Sequence, residues 1–459
     1  MKTTKKVSRR DFLRLASLAS GAAILAACAP AATTEPTSPP TSVSQPTATT
    51  ASAAAVTINV ATGAVGQELQ IAQDGAKRYM DNHSNVTVTV LSTPDMVQDR
   101  LAVYRQFFEA KSPDVDLYQI DTIWPGDLAS NLIDLSSYAG VKDQLAVIFP
   151  SMVQNDNVDG KQVAIPWFTD AGLLYYRTDL AQKYNISNPP KVWDDLATQA
   201  KTIMDGEQSG GNQDFWGFVW QGNAYEGLTC DGLEWIYSYG GGTIVSPDKK
   251  ITINNPQAAA AIDMAATWVG SISPTGVTGF AEEDSRNVWQ AGNSAFMRNW
   301  PYAYSLGEAS DSVIAGKFDV VPLPAQPNEK PAAALGGWQL AVSAYSKNPT
   351  QAADVALFYT SPAEQKIRAI DASLQPTVMD LYKDADVLKA VPFFGKLYDV
   401  FINAVPRPST ATAPNYNQVS TYFFNSVHDV LMGTKDGKTA VAEIEANLVN
   451  LLNFPTAAP

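Results

Sequence analysis

The feature that most limits the fold of this chain is an alternation of strands and helices over residues 56–121. Val56–Val60 alternates apolar and polar residues as a strand does, and Val86–Leu91 and Val115–Ile120 are predicted as further strands. Glu68–Met80 and a segment from about Asp95 to Lys111 carry apolar residues at helical spacing. Strands joined by helices in this order form parallel sheets. The chain is therefore predicted to have an α/β fold.

Two acidic side chains fall where such a sheet binds ligands. Ligands of open α/β sheets lie beyond the carboxyl ends of the strands. Glu68 opens the first predicted helix, and Asp121 ends the third predicted strand. Each position also has an ordinary structural explanation, since an acid stabilises a helix N-terminus and aspartate is common in turns. Pattern alone leaves both interpretations open.

The stretch from Gly292 to Tyr304 predicts a strand that stops at an aromatic cluster. Ala295–Met297 is apolar, and Pro301 cannot donate a backbone hydrogen bond, so the strand must end before it. Trp300 then lies at a strand end. Its large flat face and single polar edge suit the C–H face of a sugar ring. Ordinary core packing of Trp300 is the alternative.

The N-terminus predicts export and lipid attachment. Residues 8–14 have a twin-arginine pattern, and the apolar run 15–27 is too short to span a bilayer as a stable helix. This run closes on a lipoprotein cleavage box, Leu25-Ala26-Ala27-Cys28, so we expect removal of residues 1–27 and acylation of Cys28. An uncleaved short anchor is the alternative. Residues 28–55, rich in Ala, Thr, Pro and Ser, predict a flexible linker outside the membrane.

Charge and reactive residues exclude several classes of function. The whole chain has a net charge of −14, which becomes −19 without residues 1–27, because that segment holds six basic residues and Asp11. This balance argues against binding to nucleic acid or to an anionic lipid surface. Cys230 is the only other cysteine, so no internal disulfide is possible once Cys28 is acylated. The chain has only two histidines, which leaves few residues for a histidine-based catalytic triad or a metal cluster.

Two acidic segments are predicted to be structural. Asn155–Gly160 superficially resembles a calcium loop, but position twelve is Pro166 instead of glutamate, so we predict a tight hairpin turn. Glu282–Asp284 would charge the first turn of a helix running to Gln290. We therefore predict no metal site and no cofactor.

Several further segments together resemble a known protein family, although no single segment would be sufficient evidence. They are Asp159–Pro166, Leu174–Leu180, Pro189–Leu196, Tyr225–Leu228 with Gly240–Gly242, and Arg298–Pro301. In this order, behind a lipoprotein signal, they make the chain resemble the extracellular solute-binding proteins, family 1, of ABC sugar importers. The likeness is greatest to the trehalose/maltose-binding branch, relatives of maltose-binding protein, and covers essentially residues 56–455.

The resemblance implies a periplasmic-binding-protein type 2 fold, in which two α/β lobes enclose a cleft and three hinge crossings join them. By that likeness the crossings lie near Ala164–Trp167, Phe318–Val321 and Pro376–Leu381. One lobe would comprise residues 56–164 with 320–376, and the other residues 167–318 with 378–459.

The resemblance also implies nine ligand-binding positions. They comprise polar contacts of the first lobe, residues just past the first crossing, two stacking tryptophans, a backbone contact and one side chain from the helical tail: Glu68, Arg100, Asp121, Phe168, Asp170, Trp300, Trp338, Gly336 and Arg407. Carboxylates and guanidinium groups can match adjacent sugar hydroxyls, and tryptophan covers the apolar ring face. Phe168 departs from relatives, which often have tyrosine there.

The expected function is capture of an α-glucosidic disaccharide, of the trehalose/maltose type, by a monomer that delivers it to an ABC permease. Such a protein is not an enzyme and would be held by its lipid on the outer face of the cytoplasmic membrane or in the periplasm. One alternative is the same role for another solute, such as an oligosaccharide, a polyol or a glycosylated acid. Others are a structural surface lipoprotein and a glycoside hydrolase using two carboxylates among Glu68, Asp121, Asp170, Glu282 and Glu283.

Overall fold

A computed structural model of the chain describes residues 55–457. The predicted signal peptide, Cys28 and all but the last residue of the predicted linker lie outside the described residues. Within the described part, no helix combines the length and the apolar character needed to cross a membrane.

Eleven strands and nineteen α-helices make up the described chain. The strands are β1 Val56–Thr62, β2 Val86–Ser92, β3 Leu117–Asp121, β4 Asn157–Val158, β5 Lys161–Gln162, β6 Ile165–Ala171, β7 Leu173–Arg177, β8 Trp216–Val219, β9 Ser294–Asn299, β10 Phe318–Val321 and β11 Leu335–Val342.

The helices are α1 Glu68–Asn82, α2 Val97–Glu109, α3 Pro125–Leu128, α4 Val141–Ala146, α5 Pro150–Asn155, α6 Thr178–Lys183, α7 Trp193–Ser209, α8 Glu226–Ser238, α9 Pro256–Ala266, α10 Glu282–Gln290, α11 Ala303–Gly307, α12 Pro349–Thr360, α13 Pro362–Ala372, α14 Ala385–Ala390, α15 Phe393–Lys396, α16 Tyr398–Ile402, α17 Ser409–Thr412, α18 Tyr416–Leu431 and α19 Gly437–Leu452. Three 3₁₀ helices cover Ala129–Asn131, Thr275–Gly279 and Met379–Lys383.

The strands form two main sheets. The first has the order β2-β1-β3-β11-β6, with β1 parallel to β2 and β3, which confirms the predicted parallel α/β unit. Strand β11 is antiparallel to both β3 and β6. The second sheet has the order β10-β7-β9-β8, in which only β8 and β9 are parallel.

A cluster of buried tryptophans supports the second sheet. Trp220 packs edge to face on Trp235 with ring centroids 5.1 Å apart, and both contact Trp268. Trp193 packs on Trp268 at 5.5 Å. Large aromatic rings contribute most of the apolar area in such a core. This part of the molecule therefore offers a well-packed base to strands β8 and β9.

The chain changes sheet abruptly after β6. Residues 168–171, within the predicted second lobe, pair with β11 in the first sheet, so the sheets change at Gly172. After β10 the chain stays beside the second-sheet helices, where Ala325 N donates to Lys191 O at 3.1 Å, and it enters the first sheet only at β11. The predicted lobe limits and hinges stay predictions.

Two local predictions are confirmed. Strands β4 and β5 form a hairpin whose turn, Asp159–Gly160, has positive φ angles of 51° and 81°. Glu282–Asp284 occupies the first turn of α10, where Asp284 accepts a hydrogen bond from Ala281 N at 2.9 Å.

Candidate functional site

The first part of the candidate site lies beyond the carboxyl end of β1. A β-carbon at Gly63 would lie 2.1 Å from Glu68 Oε2 and 2.2 Å from Arg100 Nη2, so only glycine lets both side chains reach this edge. Arg100 is fully buried, with Nη2 3.9 Å from Glu68 Oε2. Its Nε donates to Pro94 O, whereas Nη1 and Nη2 have no hydrogen-bond partner in the described chain.

Gln119 completes this edge and was not predicted. Its Oε1 accepts from Gly63 N at 2.7 Å, and its Nε2 lies 3.4 Å from Glu68 Oε2. Because side chains alternate along a strand, Gln119 faces the same side of β3 as Asp121. That period of two could have identified it. Burial raises the pKa of Glu68 to about 7, against the opposing effect of Arg100.

Five predicted positions share one face of the first sheet. Trp338 on β11 lies opposite both Asp121 and Phe168, and Gly336 lies opposite Asp170. Directly opposed residues in antiparallel strands point to the same face. The guanidinium carbon of Arg100 lies 4.2 Å from the centroid of the Trp338 ring.

Asp170 has a distinctive electrostatic position. The residue is 8% exposed, and its carboxylate makes no hydrogen bond or ion pair with the described residues. Burial raises the pKa of Asp170 well above its usual range, and the charges of Glu68 and Asp121 raise it further. Arg298 acts in the opposite direction. Asp170 therefore keeps its hydrogen-bonding capacity for a ligand.

Arg407 joins residues from distant parts of the chain. It contacts Asp121 Oδ1 at 3.0 Å and Glu226 Oε1 at 2.7 Å, and all three residues are at most 6% exposed. Glu226, which opens α8, also accepts from Tyr416 and Ser420, both at 2.6 Å. Glu226 was not predicted as a site residue, because its partner Arg407 is 181 positions away and no local pattern reveals the pair.

Trp300 follows β9 directly, as predicted, and lies where the two sheets meet. A β-carbon at Gly336 of the first sheet would lie 3.2 Å from Trp300 Cζ3. The Trp300 ring packs on the guanidinium group of Arg298 at 3.9 Å, and Nε1 lies 3.4 Å from Glu282 Oε1. From the sequence, Glu282 was predicted only to lie at the start of a helix or to be one of the carboxylates of a glycoside hydrolase.

The structure thus brings all nine predicted positions into one region between the sheets. The contacts described above connect every one of them, directly or through a neighbour. Two indole rings, several carboxylates and a guanidinium group with free donors suit a polyhydroxylated ring. Within residues 55–457, no group of three or more His, Cys, Asp or Glu side chains is arranged to hold a metal ion.

Comparisons with known sequences indicate a family. The sequence model of the family described as bacterial extracellular solute-binding protein matches residues 63–366. A probable ABC transporter-binding protein of Deinococcus radiodurans is 52% identical over 397 residues, which cover 86% of this chain and 94% of that protein.

Solved structures of similar fold agree with the sequence match. Maltose-bound MalE3 of T. maritima is 39% identical, with a TM-score of 0.82 over 87% of this chain and 100% of that one. A tagatose-bound ABC transporter solute-binding protein from Thermotoga lettingae is 24% identical, with a TM-score of 0.76 and coverage of 87% and 100%. At that lower identity, the second likeness bears on the fold alone.

Proposed function

The chain belongs to the bacterial extracellular solute-binding protein family, and we propose that it captures an α-glucosidic disaccharide, of the trehalose/maltose type, for an ABC importer. The similarity to a probable ABC transporter-binding protein supports the importer role. The likeness to a maltose-bound protein, at 39% identity and full coverage of that protein, supports the choice of sugar. A solute-binding family gives no support to the glycoside hydrolase alternative.

The observation that carries this proposal is the combination of two tryptophans with unsatisfied polar groups. Trp300 and Trp338 supply flat apolar surfaces for pyranose rings. The two terminal nitrogens of Arg100 are buried and have no hydrogen-bond partner in the described chain, and the carboxyl group of Asp170, a residue that is 8% exposed, is not engaged by a described side chain. Sugar hydroxyls both donate and accept, so they can satisfy a carboxylate and a guanidinium group at once. An apolar ligand would leave these groups unpaired at a cost of about 1–3 kcal/mol each.

Contacts between the sheets support capture by closure. Arg407 bridges Asp121 and Glu226, and Trp300 lies against the Gly336 backbone. A ligand that touches residues of both sheets binds the closed arrangement more tightly than an open one, and it therefore shifts the population toward closure. The importer would then recognise the closed form.

The remaining parts of the proposal concern location and partners. We expect residues 1–27 to be removed, Cys28 to be acylated and residues 29–55 to act as a tether. The monomer would be held on the outer face of the cytoplasmic membrane or in the periplasm and would deliver its sugar to the transmembrane permease subunits.

Isothermal titration calorimetry of the exported protein in mild detergent tests the substrate. Maltose and trehalose are the expected ligands, and sucrose, maltodextrins, xylo-oligosaccharides, mannitol and glucosylglycerate complete the panel. At about 100 times its dissociation constant, a true ligand also adds about 2.7 kcal/mol of stability in a thermal melt. Binding of a polyol or glycosylated acid alone would replace the substrate. Chromatography that detects hydrolysed maltose would overturn the non-enzymatic role.

A further inference from the structure

Arg298 is a buried cation directly beneath the proposed sugar platform. It lies on β9 two residues before Trp300, and its guanidinium carbon is 3.9 Å from the centroid of the indole ring. Its Nε and Nη2 donate to the carboxylate of Glu234 at 2.9 and 2.6 Å, and Nη1 donates to Gln221 Oε1 at 2.9 Å. A bidentate pair fixes the plane of a guanidinium group. The plane on which Trp300 rests is therefore set by Glu234 and Gln221.

Asp231 is the second acidic neighbour of Arg298. Asp231 Oδ1 lies 3.0 Å from Arg298 Nε, and its Oδ2 accepts from Gln221 N at 3.1 Å. Burial raises the pKa of Asp231 well above its usual range, against the opposing effect of Arg298. A cluster that is buried and hydrogen-bonded is a rigid support, because its groups have few alternative partners.

Glu234 connects this support to the passages of the chain between the two sheets. A β-carbon at Gly172, where the chain leaves the first sheet, would lie 1.9 Å from Glu234 Oε1. Where the chain returns, Ala334 N donates to the same oxygen at 2.9 Å. Val405 pairs with the residues on either side of Ala334: its N donates to Ala333 O at 2.7 Å, and its O accepts from Leu335 N at 2.8 Å. Two segments that pass between the sheets thus meet at one carboxylate, and the segment of Val405 pairs with the second of them.

We propose that Arg298 is a positioning residue that holds the Trp300 ring against the ligand, and that Glu234 ties this platform to the passages between the sheets. The inference rests on the proposed function, since it concerns the ring that would stack on the sugar. Arg298 touches the indole and is only 2% exposed, so it offers a ligand almost no surface of its own. Its effect on affinity must therefore pass through Trp300.

A double-mutant cycle measures that dependence with maltose as the probe. The variants are Arg298→Lys, Trp300→Ala and their combination, each in the exported protein purified in mild detergent. Lysine keeps the charge but loses the planar fork, so we expect about a tenfold loss of maltose affinity in the otherwise native chain. In the Trp300→Ala background the same change should alter affinity less than twofold, because no ring remains to be held. Equal losses in both backgrounds would overturn the proposal.

Arg177→Lys is the matched control. Arg177 is also a buried arginine of the second sheet, and it pairs bidentately with Asp179 at 2.8 and 2.6 Å. Because it does not contact Trp300, its replacement should leave maltose affinity within twofold of the native value. If Arg298→Lys fails to fold, Glu234→Gln replaces it in the cycle, since glutamine keeps the acceptor for Ala334 N.

A measurement without ligand separates this inference from the sugar assignment. The difference in acrylamide quenching between a chain and its Trp300→Ala version reports the accessibility of that ring alone. Arg298→Lys should raise the quenching of this difference signal by about half or more, and Arg177→Lys should not. If the native chain binds no maltose, the proposed sugar fails, and unchanged quenching in Arg298→Lys would then separately overturn the positioning role.

Discussion

Replacing Arg407 by alanine tests whether the cation joining the two sheets contributes to stability. Arg407 lies between Asp121 at the end of β3 and Glu226 at the start of α8, at 3.0 and 2.7 Å. All three residues are buried. Removing the cation leaves two carboxylates without a compensating positive charge in a region that water reaches poorly.

The expected loss of stability follows from burial and geometry. Breaking a buried ion pair by deleting one partner costs about 3–5 kcal/mol, mainly because the remaining charge stays desolvated. Tyr416 and Ser420 continue to donate to Glu226, which softens the cost on that side. We therefore expect Arg407→Ala to lower the free energy of unfolding by about 4 kcal/mol at pH 7.

Urea denaturation followed by circular dichroism at 222 nm measures this change. Lys201→Ala is the control, because Lys201 pairs with Asp205 at 2.8 Å on an exposed helix face and should cost about 0–1 kcal/mol. Adding Glu226→Gln to Arg407→Ala removes one stranded charge and should recover part of the loss. A loss below about 1 kcal/mol, or a double variant no more stable than the single one, would refute the reasoning.

Three further changes probe the site and the crossing between the sheets. Trp300→Ala should weaken maltose binding by about 1–3 kcal/mol in calorimetry with little change in the apo melting temperature, and loss of folding would identify the ring as core. Burial of Glu68 raises its pKa from 4.5 to about 7, so the folded chain holds a proton that the unfolded chain loses, and stability should fall by about 3 kcal/mol as pH rises through that window. Glu68→Gln should flatten this part of the pH profile, and a profile identical to the native one would contradict the assignment. Gly172→Ala would place a β-carbon 1.9 Å from Glu234 Oε1 and should destabilise the fold by about 1–3 kcal/mol in a urea melt, whereas Gly279→Ala, with open space around it, should not.

The fold was largely predictable from sequence because its signals are local. Apolar spacing identified α1, α2 and the parallel strands around β1. The extent of β6 was not predictable, since Pro166 lies inside it. Proline is tolerated there because β6 is an edge strand and the pairing with β11 shifts register between Trp338 and Gln339. The sequence of β6 alone indicates neither its edge position nor the register shift in its pairing with β11.

The candidate site was predictable in part, for a different reason. The family likeness supplied the nine positions, but it did not supply the partners that fix them. Arg298 and Glu234 are 64 residues apart in the sequence, and Arg407 and Glu226 are 181 apart. Periodicity within one helix or strand therefore could not reveal either pair. Gln119 is the exception. It precedes Asp121 by two residues on the same strand, and alternation alone would have placed both on one face.

The hydrogen bonds that the site residues already make distinguish supporting residues from candidate sugar contacts. Both oxygens of Glu226 already accept hydrogen bonds, and Arg407 uses both terminal nitrogens on Asp121 and Glu226. Asp121 engages Oδ1 with Arg407 and Ile123 N, which leaves its second oxygen available. Arg100 and the carboxylate of Asp170 retain free capacity. Because a hydroxyl gains most where a buried group would otherwise stay unpaired, we expect these last three residues to carry the polar specificity. Arg407 would then contribute to binding chiefly by holding the Asp121 carboxylate in place.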